Sequence, residues 1–232
     1  MKTIGLIGGM SWESSAGYYR LVNEGVKGRL GGLHSARLVL YSVDFHAIER
    51  LQQAGDWDAA GVVLADAARA LERAGADLLV LCTNTMHKVA GAIEAAVAVP
   101  LLHIADPTGA AIRRAGLGRV GLLGTRFTME QAFYRERLRD VHGLDVLVPD
   151  AASREVVHRV IYEELCLGMI RDASREAYRG IMREMVARGA QAIVLGCTEI
   201  SLLVGPADAS VPLFDTTALH ADAAVEAALA TT

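Results

Sequence analysis

Three short segments of the chain recur, in the same order, a little over a hundred residues further on. Gly5-Leu6-Ile7-Gly8 returns as Gly121-Leu122-Leu123-Gly124, 116 positions later. Gly75-Ala76 followed by Val80-Leu81 returns as Gly189-Ala190 followed by Val194-Leu195, 114 positions later, and Val99-Pro100-Leu101 returns as Val211-Pro212-Leu213, 112 positions later. Near-constant offsets kept in one order mark an internal duplication, which restricts the fold to two copies of one unit. With 232 residues in all, each copy is large enough to bury a core of its own.

Within each copy, short runs of Val, Ile and Leu alternate with longer Ala-rich amphipathic stretches, the pattern of an α/β unit. Strands are expected at 3–7, 36–42, 78–81, 101–103, 120–123, 193–195 and 213–214. Helices are expected near 14–29, 57–74, 89–96, 129–139, 153–164, 175–188 and 217–230. The strand runs are continuously apolar rather than alternating, so helices should cover both faces of mostly parallel sheets. The expected fold class is α/β: two pseudosymmetric three-layer domains, with the active site in a cleft between them. The junction falls near Asp106-Pro107, and the last helix is expected to pack back on the first unit. The first domain then comprises 1–105 plus 215–232, and the second 106–214.

Composition narrows the possible partners. The chain is 52% hydrophobic and 22% charged, which is globular rather than disordered. Lys and Arg number 23 against 27 Asp and Glu, so there is no basic field to hold nucleic acid or an anionic membrane. No stretch reaches the ~20 apolar residues of a membrane helix. The opening Met1-Lys2-Thr3-Ile4-Gly5-Leu6-Ile7 reads as a first strand rather than a secretion signal. Cys82, Cys166 and Cys197 are odd in number and far apart, with no C-x-x-C pair, so they suit reduced thiols in a cytoplasm better than disulfides or a zinc site. His46, His87 and His103 lack the spacing of metal ligands, and no metal is expected. Gly5-x-x-Gly8-Gly9 departs from G-x-G-x-x-G, so a tight turn near a small ligand is favoured over a dinucleotide loop.

In parallel sheets ligands gather beyond the carboxyl ends of the strands. The two repeated central strands end in small polar residues, Cys82-Thr83-Asn84-Thr85 and Gly196-Cys197-Thr198-Glu199. Backbone N–H groups and hydroxyls at such tips suit a small carboxylate ligand. A thiol at a helix N-terminus there is expected to have its pKa lowered from ~8.5 and to be reactive near neutrality.

With Gly8-Gly9-Met10, Asn84-Thr85-Met86-His87, Gly124-Thr125 and Gly196-Cys197-Thr198-Glu199-Ile200 in place, essentially the whole chain resembles the aspartate/glutamate racemases. These are cofactor-independent enzymes with two pseudosymmetric α/β domains and a catalytic cysteine from each. Glu199 stands where glutamate racemases usually carry His, so the similarity is greater to the branch that acts on L-aspartate and L-glutamate. The resemblance implies racemisation of an acidic amino acid, no cofactor, and a homodimer. It places Met10, Gln52, Asn84, Thr85, Thr125 and Thr198 against substrate. Other readings of the same scaffold are a cysteine-dependent isomerase or decarboxylase of small dicarboxylates, and a non-catalytic binder of acidic amino acids.

Racemisation needs acid/base groups on opposite faces of the α-carbon. The 114-residue offset pairs Cys197 with Thr83, and pairs Cys82 with Gly196. The family pattern Cys-Asn-Thr likewise aligns with Thr83-Asn84-Thr85. Because strand side chains alternate faces, Cys82 and Thr83 should not both enter the cleft; Thr83 is favoured and Cys82 is the alternative. A threonine hydroxyl can donate or relay a proton but is too weak an acid to act as a thiolate-like base. Family resemblance assigns Cys197 to proton removal from the L face. Cys166 sits where some relatives place a substrate-binding Lys, and a core cysteine is the favoured reading there.

Overall fold

In the computed structural model, which describes residues 1–230, the chain divides into two compact units. One comprises Met1–Ile104 together with the chain from His220, and the other comprises Ala105–Leu219. Positions 231 and 232 of the expected returning segment lie outside the described residues.

The first unit carries a parallel four-stranded sheet in the order β2-β1-β3-β4, formed by β1 (Ile4–Gly8), β2 (Leu38–Ser42), β3 (Leu78–Leu81) and β4 (Leu101–Leu102). Its helices are α1 (Trp12–Leu30), α2 (Phe45–Ala54), α3 (Trp57–Arg73) and α4 (Ala90–Glu94). Strand β3 shows why both faces are covered. Leu78, Val80 and Cys82 join one core cluster with Tyr18, Val22 and Val26 of α1, while Leu79 and Leu81 join another with Leu64, Ala67 and Leu71 of α3. Alternate side chains of one strand thus feed two helical layers.

The second unit repeats the plan. Strands β5 (Arg119–Gly124), β6 (Asp145–Leu147), β7 (Ala192–Gly196) and β8 (Leu213–Asp215) pair in parallel in the order β6-β5-β7-β8. The helices are α5 (Ala105–Arg114), α6 (Arg126–Glu130), α7 (Ala132–His142), α8 (Ala151–Glu163), α9 (Asp172–Ala187) and α10 (Ile200–Leu203). Leu123, Ile193 and Leu195 pack with Val157, Val160, Tyr178, Ile181 and Met185 of α8 and α9. The final helix α11 (Thr216–Leu229) supplies Ala221, Ala224, Val225 and Ala228 to the cluster that holds Tyr18 and Val22 of the first unit. Their i, i+3, i+4, i+7 spacing makes a stripe of small side chains.

The pairing registers reproduce the sequence repeat. Gly5, Leu6 and Ile7 oppose Leu79, Val80 and Leu81; Gly121, Leu122 and Leu123 oppose Ile193, Val194 and Leu195. Leu79 and Val80 oppose Leu101 and Leu102, as Ile193 and Val194 oppose Leu213 and Phe214. The offsets of 116, 114 and 112 are therefore those of structurally equivalent strand positions.

Asp106-Pro107, read as the junction, lies within two residues of the division before Ala105, in the first turn of α5, where proline's missing N–H is tolerated. Other elements differ from expectation. The expected 129–139 helix is broken by Gln131, extended at ψ 152°. Buried Met129 and Tyr134 are five residues apart and would point in different directions on one helix, so the extended residue resets the phase. Helix α2 was not expected: it buries Ile48 and Gln52, and the polar glutamine obscures the apolar stripe. Strand β6 was also not expected, being a three-residue, half-exposed edge.

The turn after β1 tests this packing. Gly9 has φ +95°, and a Cβ there would lie 2.1 Å from the Val43 carbonyl oxygen. Gly9→Ala should cost about 2–4 kcal/mol in equilibrium unfolding, from strain and overlap together. Gly17→Ala in α1, with nothing within 4 Å of the new methyl, should instead stabilise by about 0.5–1 kcal/mol.

Candidate active site

At the end of β3 the Cys82 N–H still donates to Ile7 O at 2.9 Å, and the chain then turns, with Thr83 N–H donating to Leu81 O at 2.8 Å. A 3₁₀ helix over Thr85–Val89 follows. The Cys82 thiol is fully buried in the α1-side core and donates weakly to Val80 O at 3.8 Å; burial pushes its pKa far up. Thr83, Asn84 and Thr85 are all buried at the tip itself. The tip is held from the side by Ser14 Oγ, which donates to Cys82 O at 3.3 Å, while Gly9 N–H donates to Ser15 Oγ at 2.7 Å.

Met10 is buried in the same cluster as Met86, and Gln52, also buried, donates from Nε2 to Met86 Sδ at 2.9 Å. The first unit thus gathers Met10, Gln52, Thr83, Asn84 and Thr85 at the carboxyl ends of β1 and β3.

In the second unit Gly124 opposes Gly196 across β5 and β7, so Thr125 and Cys197 leave adjacent strands side by side. Little room separates those strands' ends, since a Cβ on Gly124 would approach Gly196 O to 2.8 Å. Thr125 caps α6, its Oγ accepting from Thr128 N–H at 3.3 Å.

At the β7 tip two donors converge on one carboxylate oxygen. Cys197 Sγ donates to Glu199 Oε2 at 2.9 Å, and Thr198 Oγ donates to the same atom at 2.6 Å. Glu199 is only 3% exposed. Burial first, then the Glu199 charge, raise the Cys197 pKa well above that of an ordinary thiol. The expected lowering at a helix N-terminus is therefore overturned. The helix that follows, α10, has four residues and begins beyond Glu199, so little dipole acts on the thiol, whereas a carboxylate touches it.

Sequence reasoning did not single out Glu199 as a site residue. The repeat places it opposite Thr85, so symmetry supplies no carboxylate to notice; the signal was the Cys-Thr-Glu run itself. Cys166, in a 3₁₀ turn over Leu165–Leu167, packs partly buried against the α8/α9 core. Beside it, buried Glu164 accepts from Ser174 Oγ at 2.6 Å and faces the Arg171 guanidinium at 3.8 Å.

The sequence model of the Asp/Glu/hydantoin racemase family matches residues 7–224. A Yersinia pestis protein assigned as an Asp/Glu racemase has a crystal structure that superposes with a TM-score of 0.93 at 60% identity, covering 99% of this chain and 100% of that one. An aspartate racemase homologue from Pyrococcus horikoshii OT3 superposes with a TM-score of 0.85 at 35% identity, covering 98% and 99%. A broad specificity amino-acid racemase of Bacillus subtilis (strain 168) is 24% identical over 239 residues, 98% of each chain. With two like-ordered parallel sheets, a repeated register and strand tips bearing Thr83 and Cys197, the chain belongs to the Asp/Glu/hydantoin racemase family of isomerases.

Proposed function

We propose that the protein racemises acidic amino acids, L-aspartate and L-glutamate, without a cofactor, with Cys197 serving one face of the α-carbon and Thr83 the other. The observation that carries this reading is the shared register. Thr83 and Cys197 each lie two residues beyond the strand residue that opposes Ile7 or Leu123, namely Leu81 and Leu195. Strand parity supports the same choice, because Cys82 follows Leu78 and Val80 into the opposite core. The acidic substrate class is supported by the solved relatives described as an Asp/Glu racemase by assignment and as an aspartate racemase homologue.

Glu199 answers the question of how a thiol with a raised pKa becomes a base. Cys197 and Glu199 form a pair in which the thiol proton already points at Oε2. Moving that proton to the carboxylate makes a thiolate without changing the net charge of the pair, so the two groups titrate and act as one base. The thiolate then takes the α-proton from the L-substrate. The resulting carbanion is reprotonated on its other face by the Thr83 hydroxyl, or by a water it holds, and the hydroxyl recovers its proton from solvent. The Cys197–Glu199 pair, left with a proton on each group, releases one to solvent, which balances the proton the Thr83 hydroxyl takes up. Asn84, Thr85, Thr125 and Thr198 are the proposed polar contacts to substrate, with Met10 and Gln52 lining the first-unit side. We also read the protein as a cytoplasmic homodimer, from its three free thiols and its family.

Chiral chromatography of L-Asp and L-Glu reactions tests the assignment. Cys197→Ser should abolish turnover, Cys82→Ala should leave it close to wild type, and Thr83→Cys should raise reaction from the D-enantiomer. Loss of activity in Cys82→Ala as deep as in Cys197→Ser, with a silent Thr83→Ala, would instead support a Cys82/Cys197 pair.

The pair also makes a pH prediction. Because the Glu199 charge raises the Cys197 pKa, Glu199→Gln should move the pH midpoint of Cys197 alkylation by iodoacetamide downward, read by mass spectrometry, with buried Cys82 unmodified as an internal control. The same variant should lose about 10²–10⁴-fold in racemisation, the usual contribution of a general base. An upward shift of the midpoint would contradict the electrostatic account.

A further inference from the structure

His87, two residues into the 3₁₀ helix after Thr85, is buried, and both of its ring nitrogens are used. Nδ1 lies 2.8 Å from the Thr83 carbonyl oxygen, and Nε2 lies 3.1 Å from the backbone nitrogen of Ile104. The partners fix the proton positions. A carbonyl only accepts, so Nδ1 must carry hydrogen; a backbone N–H only donates, so Nε2 must offer its lone pair. The ring is therefore neutral in a single tautomer.

It bridges two buried backbone groups, the carbonyl of Thr83 and the N–H of Ile104, the last residue before the chain leaves the first unit. His103 stacks edge-on at 4.4 Å between ring centroids, and His220 lies at 5.9 Å, itself placed between the Tyr18 hydroxyl at 2.9 Å and Leu102 O at 2.8 Å. Two further imidazoles thus pack around the His87 ring.

We propose that His87 is a positioning residue for the Thr83 side of the reaction: by donating from Nδ1 to the Thr83 carbonyl it sets where the Thr83 hydroxyl sits. It touches no reacting atom in this role. The inference rests on the two-face reading above and goes beyond it, because that reading needs only Thr83 and Cys197. A displaced proton donor costs rate steeply even when every catalytic group remains present.

The test is the fate of L-aspartate in deuterated water. A carbanion formed at Cys197 that is reprotonated there gives labelled L-aspartate, whereas reprotonation from the Thr83 side gives labelled D-aspartate. The ratio of inverted to retained label thus reads the Thr83 side alone, while general destabilisation lowers both products together. His87→Asn keeps an amide nitrogen where Nδ1 stood and should hold the ratio near wild type. His87→Gln puts an amide oxygen near Nε2, abandons the Thr83 carbonyl, and should lower the ratio by about tenfold or more.

An unchanged ratio in His87→Gln, or an equal fall in both variants, overturns the inference. Should the Gln variant fail to fold, the wild-type protein labelled with ¹⁵N-histidine decides. The inference requires His87 to carry its proton on Nδ1 with L-aspartate bound, and an Nε2-protonated ring would refute it. A wild type that exchanges no α-proton fails the two-face reading itself; a wild type that inverts normally while the ratio ignores His87 fails only this inference.

Discussion

The parallel pairing of each unit's first and third strands is the constraint on which everything else rests. Backbone hydrogen bonds between β1 and β3, and between β5 and β7, fix which residue becomes the last of the strand and which the first of the tip. A slip of one residue would exchange the two faces and send Cys82 outward in place of its neighbour. The cores make that slip costly, because Leu78, Val80 and Cys82 fit against α1 and α11 while Leu79 and Leu81 fit against α3. Which of Cys82 and Thr83 is left at the tip is thus a packing outcome.

Within that shared register the two tips differ in chemistry. Position 197 combines a thiol with a buried carboxylate at 2.9 Å, whereas the equivalents of Cys197 and Glu199 in the first unit are Thr83 and Thr85. Duplication supplies two similar scaffolds, and side-chain divergence leaves a thiol and a carboxylate on one tip and two hydroxyls at the equivalent positions of the other. Burial and the neighbouring charge both disfavour a free thiolate at Cys197, which is why the proposed mechanism gives its proton to Glu199.

Much of this was legible in the amino-acid order because repeats and strand runs are local and periodic. The pairing Gly5 with Leu79 and Gly121 with Ile193 is the 116 and 114 offsets made physical. What was not legible depended on tertiary contact. Helix α2 hides its inner face behind Gln52, whose amide finds Met86 from 34 positions away. The break at Gln131 follows from which side chains the core of the second unit accepts, which periodicity cannot reveal. The thiol of Cys197 looked acidic from its place after a strand, and only the folded position of the Glu199 carboxylate reverses that expectation.

The central claim is that positions 83 and 197 are interchangeable places on two copies of one scaffold. Swapping their side chains in one protein, Thr83→Cys with Cys197→Thr, tests it most directly, with ¹H NMR following loss of the α-proton from L- and D-aspartate in deuterated water. The account predicts that exchange with retention passes from the L-enantiomer to the D-enantiomer, more slowly than in the wild type because Thr85 offers no carboxylate to the new thiol. A folded swapped protein that still exchanges L-aspartate faster than D-aspartate would contradict it.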